Sequence, residues 1–366
     1  MSCCFPVDGM DTKKIASAFH FGVPLFSVEE CKIGHINSTF FVNCADGRYV
    51  VQKINKGVFK SPRHLMANVV GVTDHIRAKL KACGGDVKNG TLQFVKSGDH
   101  YYHIDENGEY WRAYRFVEGN CYQSCDSPAV FARVGAAFGT FQNQLADFDT
   151  ATLYETIPDF HNAKRRYEAL EAAIAADPLG RARECTKEIE FIRARKDSCS
   201  FIVDGLASGI FPLRVTHNDT KLNNVIMDAK TGDARCVIDL DTVMPGSLLY
   251  DFGDAIRFGA SGAAEDESDL DKVHIKTDLF EAFTEGFVTS LSSTITKEEL
   301  LALPESARIV TLTQGIRFLT DHVLGDTYFR IAREGHNLAR ARNQLKLVAD
   351  IENKRTALDA VVAKYL

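Results

Sequence analysis

Thr216-His217-Asn218-Asp219-Thr220-Lys221-Leu222-Asn223-Asn224, followed shortly by Cys236-Val237-Ile238-Asp239-Leu240-Asp241, is the stretch on which the fold turns. It reads as a polar loop between apolar strands, then an acidic pair at the end of an apolar strand. The intervening Ala229-Lys230-Thr231-Gly232-Asp233 has the composition of a turn. This β-rich island, residues 215–241, is set in helical surroundings. Apolar periodicity predicts helices over 129–148, 162–176, 182–198, 269–291, 297–324 and 338–365.

Upstream the character is different. Runs 24–33, 39–44 and 48–54 are rich in Val, Ile, Phe and Tyr, and Ala45-Asp46-Gly47 joins the last two with the Asp-Gly signal of a hairpin. A second such turn, Asp105-Glu106-Asn107-Gly108, links 101–104 to the aromatic run 110–117. Between them Ser61-Pro62 opens a helical pattern through Leu65, Val69, Val70, His75, Ile76 and Leu80, which stops at Gly84-Gly85. After Glu118-Gly119 helical periodicity takes over. The expected division is therefore a small β-rich lobe over 1–119 and a larger helical lobe over 120–366.

Composition narrows the field. The chain has 366 residues, 45% hydrophobic and 25% charged, with a formal net charge of −6. These are average globular values and give no electrostatic footprint for nucleic acid. No run of about 18 apolar residues would span a bilayer. Met1-Ser2-Cys3-Cys4-Phe5-Pro6-Val7-Asp8 lacks the basic and apolar regions of a secretory signal. The 10 cysteines are scattered, and neither Cys3–Cys4 nor Cys121–Cys125 has a second pair or His at metal spacing. Reduced thiols and a cytoplasmic protein, monomeric or weakly oligomeric, are expected.

The polar loop has the chemistry of phosphoryl transfer. That reaction uses a carboxylate to orient the attacking hydroxyl, a cation against the charge on the moving group, and an Asn/Asp pair to hold Mg²⁺. Asp219, Lys221, Asn224 and Asp239 supply those types in that order. With His217, the offsets fit the kinase signature H-x-D-x-K-x-x-N followed by a metal-binding Asp. No A-P-E arrangement follows Asp239, which argues against a protein kinase.

On these residues the chain resembles the aminoglycoside phosphotransferase and choline kinase superfamily. The resemblance implies an α+β, bilobal, protein-kinase-like fold: a small antiparallel β-rich N-terminal lobe, then a larger and mainly helical C-terminal lobe. Gly34-His35-Ile36-Asn37-Ser38-Thr39-Phe40 is similar to the superfamily's phosphate-covering hairpin, and Arg115-Phe116-Val117-Glu118-Gly119 to its hinge. Within the superfamily the likeness narrows toward the N-acetylhexosamine 1-kinases. It runs through Glu155-Thr156-Ile157-Pro158-Asp159-Phe160-His161, Asp239 to Gly246, Tyr250-Asp251-Phe252-Gly253-Asp254, Arg317-Phe318-Leu319-Thr320-Asp321 and Arg333-Glu334-Gly335-His336-Asn337-Leu338.

The resemblance implies ATP and Mg²⁺ as cofactors and transfer to the anomeric hydroxyl of an N-acetylhexosamine. Asp219 would take the hydroxyl proton, and Lys221 would neutralise charge. Gly34, Asn37, Ser38, Gln52, the Arg115 carbonyl and the Val117 N–H would hold the nucleotide. Asn224 and Asp239 would hold Mg²⁺, with Asp241 a further ligand or a supporting carboxylate. His35, Arg317 and Tyr328 would bind the sugar, although Arg317 could instead pair with Asp321 on its own helix. Two departures stand out. The third strand places Gln52, not Lys53, where a phosphate-binding cation is usual, and strand alternation allows only one of the two into a cleft. The phosphate hairpin also has a single Gly. A kinase of another small hydroxyl compound (an amino alcohol, a homoserine-like acid, another hexose or an aminoglycoside) and a catalytically silent binding protein are the competing readings.

Overall fold

The Asp-Gly signal turns the first hairpin: Ala45 and Asp46 form the loop, Cys44 pairs with Gly47, and Gly47 takes φ 141°. Tyr49 and Arg115 hold the loop from below by donating to the Asp46 carboxylate at 2.9 and 3.2 Å. The computed structural model describes residues 9–31, 36–124, 126–291 and 294–366. In it α1 (Gly9–Ser17) precedes β1 (Leu25–Cys31), β2 (Ser38–Cys44) and β3 (Gly47–Lys53), and α2 (Pro62–Ala82) follows. Then come β4 (Phe94–Val95), β5 (His103–Ile104) and β6 (Tyr110–Arg115).

These strands make one antiparallel sheet in the order β1-β2-β3-β6-β4, with β5 also on β6. Alternation gives the sheet two unlike faces. Phe40, Val42, Tyr49, Val51, Trp111 and Ala113 pack under α1 against Ile15, Ala16 and Phe19. Thr39, Gln52 and Arg112, in register with one another, lie on the opposite face. Lys53 is therefore on the α1 side of the sheet, opposite Trp111.

α2 starts where Ser61-Pro62 predicts and stops at Cys83, before Gly84 at φ 70°. Its Leu65, Met66, Val69, Val72 and Ile76 join Val117, Phe141, Val215, Ile226 and Leu240 in one core, which ties the sheet to the helical part of the chain. Each such side chain contributes roughly 1.5–3 kcal/mol on burial, so this core is a stiff joint.

The rest is mainly helical. The elements are α3 (Pro128–Gln144), α4 (Ala163–Ala176), α5 (Thr186–Arg193), α6 (Phe201–Ala207), β7 (Arg214–Thr216), β8 (Val225–Met227), β9 (Ala234–Val237) and β10 (Met244–Gly246). They continue with α7 (Leu248–Gly259), α8 (Thr277–Leu291), α9 (Lys297–Leu324), α10 (His336–Asn353) and α11 (Arg355–Val362). β7 pairs with β10 and β8 with β9. α3 and α8 pack closely through glycine: a Cβ on Gly286 would lie 1.9 Å from the Ala132 carbonyl oxygen. Phe252, Phe280, Phe283 and Phe287 fill the centre, with Phe252 edge-on to the other three rings.

Several elements differ from the periodicity. Of 182–198 only Thr186–Arg193 is α-helix, flanked by 3₁₀ turns. The helix expected from residue 269 starts at Thr277. The pattern 338–365 breaks at Lys354, whose Nζ turns back to the Ile275 carbonyl at 2.8 Å. α7, outside the helices that periodicity predicts, turns its polar stripe inward: Asp251, Asp254 and Arg257 lie at helical spacing, and Leu248 through Arg257 are all buried. Among the described residues no helix is long and apolar enough to cross a membrane. Cys44, Cys83, Cys121, Cys185, Cys199 and Cys236 are free thiols; Cys3, Cys4 and Cys125 lie outside the described residues.

Candidate active site

The loop after β7 is built around one buried carboxylate. Asp251, in the first turn of α7, accepts the His217 and Asn218 N–H groups at 2.9 and 2.7 Å and the Gln142 amide at 2.6 Å. Its own carbonyl accepts the Thr220 hydroxyl at 2.5 Å. One turn later Asp254 accepts the Thr220 N–H at 3.1 Å. These bonds hold Asn218 at φ 66°, a left-handed conformation that Asn tolerates. They also fix the direction in which the chain delivers Asp219. Burial pushes the Asp251 carboxyl up, against the pull of His217 and its hydrogen bonds.

His217 braces the same loop. Its Nδ1 accepts the Asp219 N–H at 3.2 Å, so the proton sits on Nε2, which donates to the Ile238 carbonyl at 2.9 Å. Thr242 donates to the His217 carbonyl at 2.6 Å, and Asn218 Nδ2 to the Thr242 carbonyl at 2.9 Å. The catalytic loop and the Asp239–Asp241 segment are thus sewn together.

The sequence-predicted residues meet here. Lys221 Nζ lies 2.7 Å from Asp219 Oδ1. Asn224 Nδ2 donates to the Asp219 carbonyl at 2.8 Å and to its Oδ2 at 3.2 Å. Burial lowers the Lys221 pKa, but Asp219 and Asp254 outweigh it and hold the ammonium above the ordinary lysine value. Asp239 has φ 57° and its carboxylate opens onto the cleft, with no protein donor among the described residues. Desolvation between the lobes, then the charges of Asp241 and Asp219, push it up to about 6.

Such a carboxylate, beside an Asn224 Oδ1 that also lacks a protein donor, fits a divalent cation. Among the described residues no three His, Cys, Asp or Glu side chains form a cage. An amide and one carboxylate suit Mg²⁺, which keeps waters and leans on substrate phosphates. Asp241 is occupied: one oxygen pairs with Arg112 and the other accepts Asn37 Nδ2 at 2.6 Å.

On the nucleotide side, Gln52 shares the inner face with Thr39 and donates to its hydroxyl at 3.1 Å. Arg112 donates to Gln52 Oε1 from Nε and Nη2, at 3.0 and 2.8 Å. Asn37 Oδ1 accepts the Asn55 N–H at 3.0 Å. Ser38 opens β2 opposite Lys53. The Arg115 side chain turns away to the Asp46 carbonyl, at 3.0 Å, leaving only its backbone for a nucleotide. Val117 is buried against Ile226 and Leu240. Beyond it Gly119, at φ 157°, has no room for a Cβ, which would sit 2.4 Å from the Met227 carbonyl oxygen. Gly34 and His35 lie outside the described residues.

The acceptor-side residues come from farther away. Arg317 does not pair with Asp321. That carboxylate is consumed by the N–H groups of Thr327, Tyr328 and Phe329, at 2.9, 2.8 and 2.9 Å, and by Asn337. Arg317 instead stacks over Phe160 and Phe329, 4.9 and 5.3 Å from their centroids, with Tyr328 at 6.0 Å. Among the described residues its one polar partner is Gln314 Oε1 at 2.8 Å. Phe160 leads to His161, whose Nε2 reaches the Asn218 carbonyl at 2.9 Å and so joins this cluster to the catalytic loop. Burial pulls His161 down to about 4.

Three functional candidates were not picked out from the sequence. Arg112 is hidden in an aromatic strand, and Asp251 was quoted only as part of a likeness. Arg166 in α4 lies within electrostatic range of Arg317 and Tyr328, and touches only the Phe160 carbonyl, at 3.3–3.4 Å. Desolvation, then Arg317, lowers its pKa. A charged residue on the inner face of a strand was the available signal for Arg112.

The profile of the phosphotransferase enzyme family matches residues 27–277, more than half of the chain, and the chain belongs to that family. Solved structures share its architecture. An aminoglycoside phosphotransferase from Alicyclobacillus acidocaldarius is 14% identical, with a TM-score of 0.59 over 96% of this chain and 95% of that one. A spectinomycin phosphotransferase, solved with ADP and spectinomycin, is 12% identical, with a TM-score of 0.58 over 95% and 99%. The choline kinase of Cryptosporidium parvum is 14% identical, with a TM-score of 0.56 over 92% and 91%. At such identities the likeness is one of fold, and the bilobal, kinase-like α+β architecture expected from the sequence is the one found.

Proposed function

We propose that the chain is an ATP- and Mg²⁺-dependent kinase that phosphorylates the anomeric hydroxyl of N-acetylglucosamine or N-acetylgalactosamine. Asp219 accepts a hydrogen bond from that hydroxyl and takes its proton as the new O–P bond forms; the bond from the γ-phosphorus to the bridging oxygen breaks, and ADP leaves. An anomeric hydroxyl is more acidic than an ordinary alcohol, so placement of the base matters more than its basicity. Lys221, 2.7 Å from Asp219, keeps that carboxylate oriented and opposes the charge on the transferring group. Asn224 and Asp239 would hold Mg²⁺, which when bound neutralises phosphate charge. The Arg115 carbonyl and Val117 N–H would meet the adenine edge, with Asn37, Ser38 and Gln52 over the phosphates.

One observation favours a neutral, oxygen-rich acceptor over a cationic one: Arg317 and Arg166 stand together on the acceptor side, and neither pairs with a carboxylate among the described residues. Asp159 attracts Arg166 electrostatically without forming an ion pair with it, and accepts the Asn162 amide at 2.7 Å. Guanidinium groups donate well to sugar hydroxyls and to an acetamide carbonyl, and repel the ammonium groups of choline or an aminoglycoside. Arg317, lying over Phe160 and Phe329, presents a flat donor surface.

The test is ³¹P NMR of the protein with ATP, Mg²⁺ and each of N-acetylglucosamine, N-acetylgalactosamine, glucose, galactose, choline, homoserine and kanamycin. A phosphorus signal split by an anomeric proton, seen with the N-acetylated sugars alone, is the expected result. Turnover confined to choline, homoserine or kanamycin would sink the sugar reading while leaving the family assignment in place.

A further inference from the structure

In phosphotransferases of the kinase fold a lysine on the third strand pairs with a glutamate on the following helix, and that pair must be in place for activity. Here neither partner is in its usual position. The third strand offers Gln52, and Lys53 lies on the α1 side of the sheet. In α2 the single carboxylate is Asp74, which pairs with Arg77 at 2.8 Å on the surface. The buried polar residues of that helix are neutral and engage backbone: Asn68 bonds to the Tyr154 carbonyl and N–H and the Val243 carbonyl, and Thr73 donates to the Val69 carbonyl.

A different ion pair joins the sheet to the turn that follows Asp239. Arg112 is the register partner of Gln52 on β6. Two of its nitrogens converge on Gln52 Oε1 at 3.0 and 2.8 Å while Nη1 pairs with Asp241, and the two charged side chains are each 4% exposed. Gln52 then donates to Thr39 at 3.1 Å, and Asp241 accepts from Asn37 at 2.6 Å. Asn37 in turn accepts the Asn55 N–H at 3.0 Å, closing a circuit across β2, β3, β6 and the segment after Asp239.

We propose that Arg112 is a positioning residue that carries the missing cation one strand over. Its acidic partner has moved from the helix to Asp241, so the phosphate hairpin and the Asp239 segment are locked together without a movable helix. The pair is too enclosed to touch phosphate itself; it acts through Gln52, Asn37 and the placement of Asp239. The cleft is therefore assembled before nucleotide arrives, and swinging α2 outward would not break the pair. This inference rests on the nucleotide half of the reading above and is independent of which acceptor is used.

The test exchanges the cation between strands and reads nucleotide affinity. Wild type, Arg112→Met, Gln52→Lys and the double variant are titrated with Mg·ADP, and each apo protein is melted. Arg112→Met is expected to weaken Mg·ADP binding by at least about tenfold, the scale of a broken buried pair. Adding Gln52→Lys, which returns a cation to β3 within reach of Asp241, should recover affinity to within about threefold of wild type. A folded Arg112→Met protein that binds Mg·ADP as wild type does would overturn the proposal. So would a double variant that regains melting temperature but not affinity, since that is the behaviour of a purely structural pair. Should Arg112→Met fail to fold, Arg112→Lys keeps the charge and loses the fork on Gln52: intermediate affinity supports the proposal and unchanged affinity refutes it. Wild type that binds Mg·ADP but phosphorylates no N-acetylated sugar refutes the acceptor assignment alone.

Discussion

Replacing Asp251 by Asn changes one atom and should disable the active site from beneath. The carboxylate accepts two backbone N–H groups and the Gln142 amide, all between 2.6 and 2.9 Å, in a fully buried position. Hydrogen bonds to a charged acceptor contribute about 1.5–3 kcal/mol each, and a buried N–H left without a partner costs about 1–3 kcal/mol. In Asp251→Asn the amide oxygen keeps one backbone donor, and the NH₂ group confronts the other, from His217 or Asn218. Against this loss stands the relief of a carboxylate that burial already penalises. The net is a destabilisation of about 3 kcal/mol. The functional effect should be larger than the stability loss suggests. Asn218 holds φ 66° only while both N–H groups are anchored, and a shift of about 1 Å in Asp219 is enough to cost about 10² in turnover. Urea denaturation gives the first quantity, and initial rates at saturating ATP and acceptor give the second. Turnover within threefold of wild type in a variant that shows the stability loss would refute the claim that Asp251 sets the position of Asp219.

Asp219→Ala should lower turnover by about 10²–10⁴, the range for a positioned acid–base group, with Mg·ADP affinity within a few fold of wild type; near-normal turnover would remove Asp219 from the role of base. Arg317→Gln and Arg166→Gln should each raise the acceptor KM about tenfold, the worth of one charge-assisted hydrogen bond, and leave the KM for ATP unchanged. An equal rise in both constants would argue for general misfolding instead. His161, buried and pulled down to about 4, stays neutral in the folded protein while the unfolded chain protonates near 6.5. Its contribution is therefore intact above pH 6.5 and is lost as the pH falls toward 4, by about 3 kcal/mol in all. His161→Gln keeps a donor for the Asn218 carbonyl and should flatten that acid limb in pH-dependent urea melts; an unchanged limb would show that other groups govern it.

What could be read from the sequence was what the chain settles locally. Thr296 and Glu299 form a capping box and Gly325 adopts φ 101°, so α9 begins and ends where its pattern does, at Lys297 and Leu324. Hairpins fall at the Asp46-Gly47 and Asn107-Gly108 signals, and Asp219, Lys221 and Asn224 lie on a single short loop. α7 misleads for the opposite reason: its polar stripe of Asp251, Asp254 and Arg257 faces the interior, so acids that look like surface residues are buried. Strand alternation could state that either Gln52 or Lys53 faces inward. It could not say that Arg112 would lie beside Gln52, because inter-strand register is fixed by side-chain packing across the whole sheet.

The acceptor side follows from a competition that local rules misjudge. An Arg and an Asp four residues apart on a helix are neighbours, and the simple expectation is an ion pair of about 0.2–0.5 kcal/mol. Asp321 has a stronger use. Just beyond the helix the chain turns through Gly325 and Asp326, both at positive φ, and presents three successive N–H groups to that single carboxylate. Three charge-assisted bonds outweigh one solvent-screened pair. Asp321 therefore closes the loop that carries Tyr328 and Phe329, and Arg317 is left to the aromatic rings. The same carboxylate that appeared to neutralise Arg317 is what frees it, and the loop it orders supplies the rings on which the freed guanidinium lies. Which charges are left free in this chain then depends on which long-range partner claims each one, and residue spacing carries little of that information.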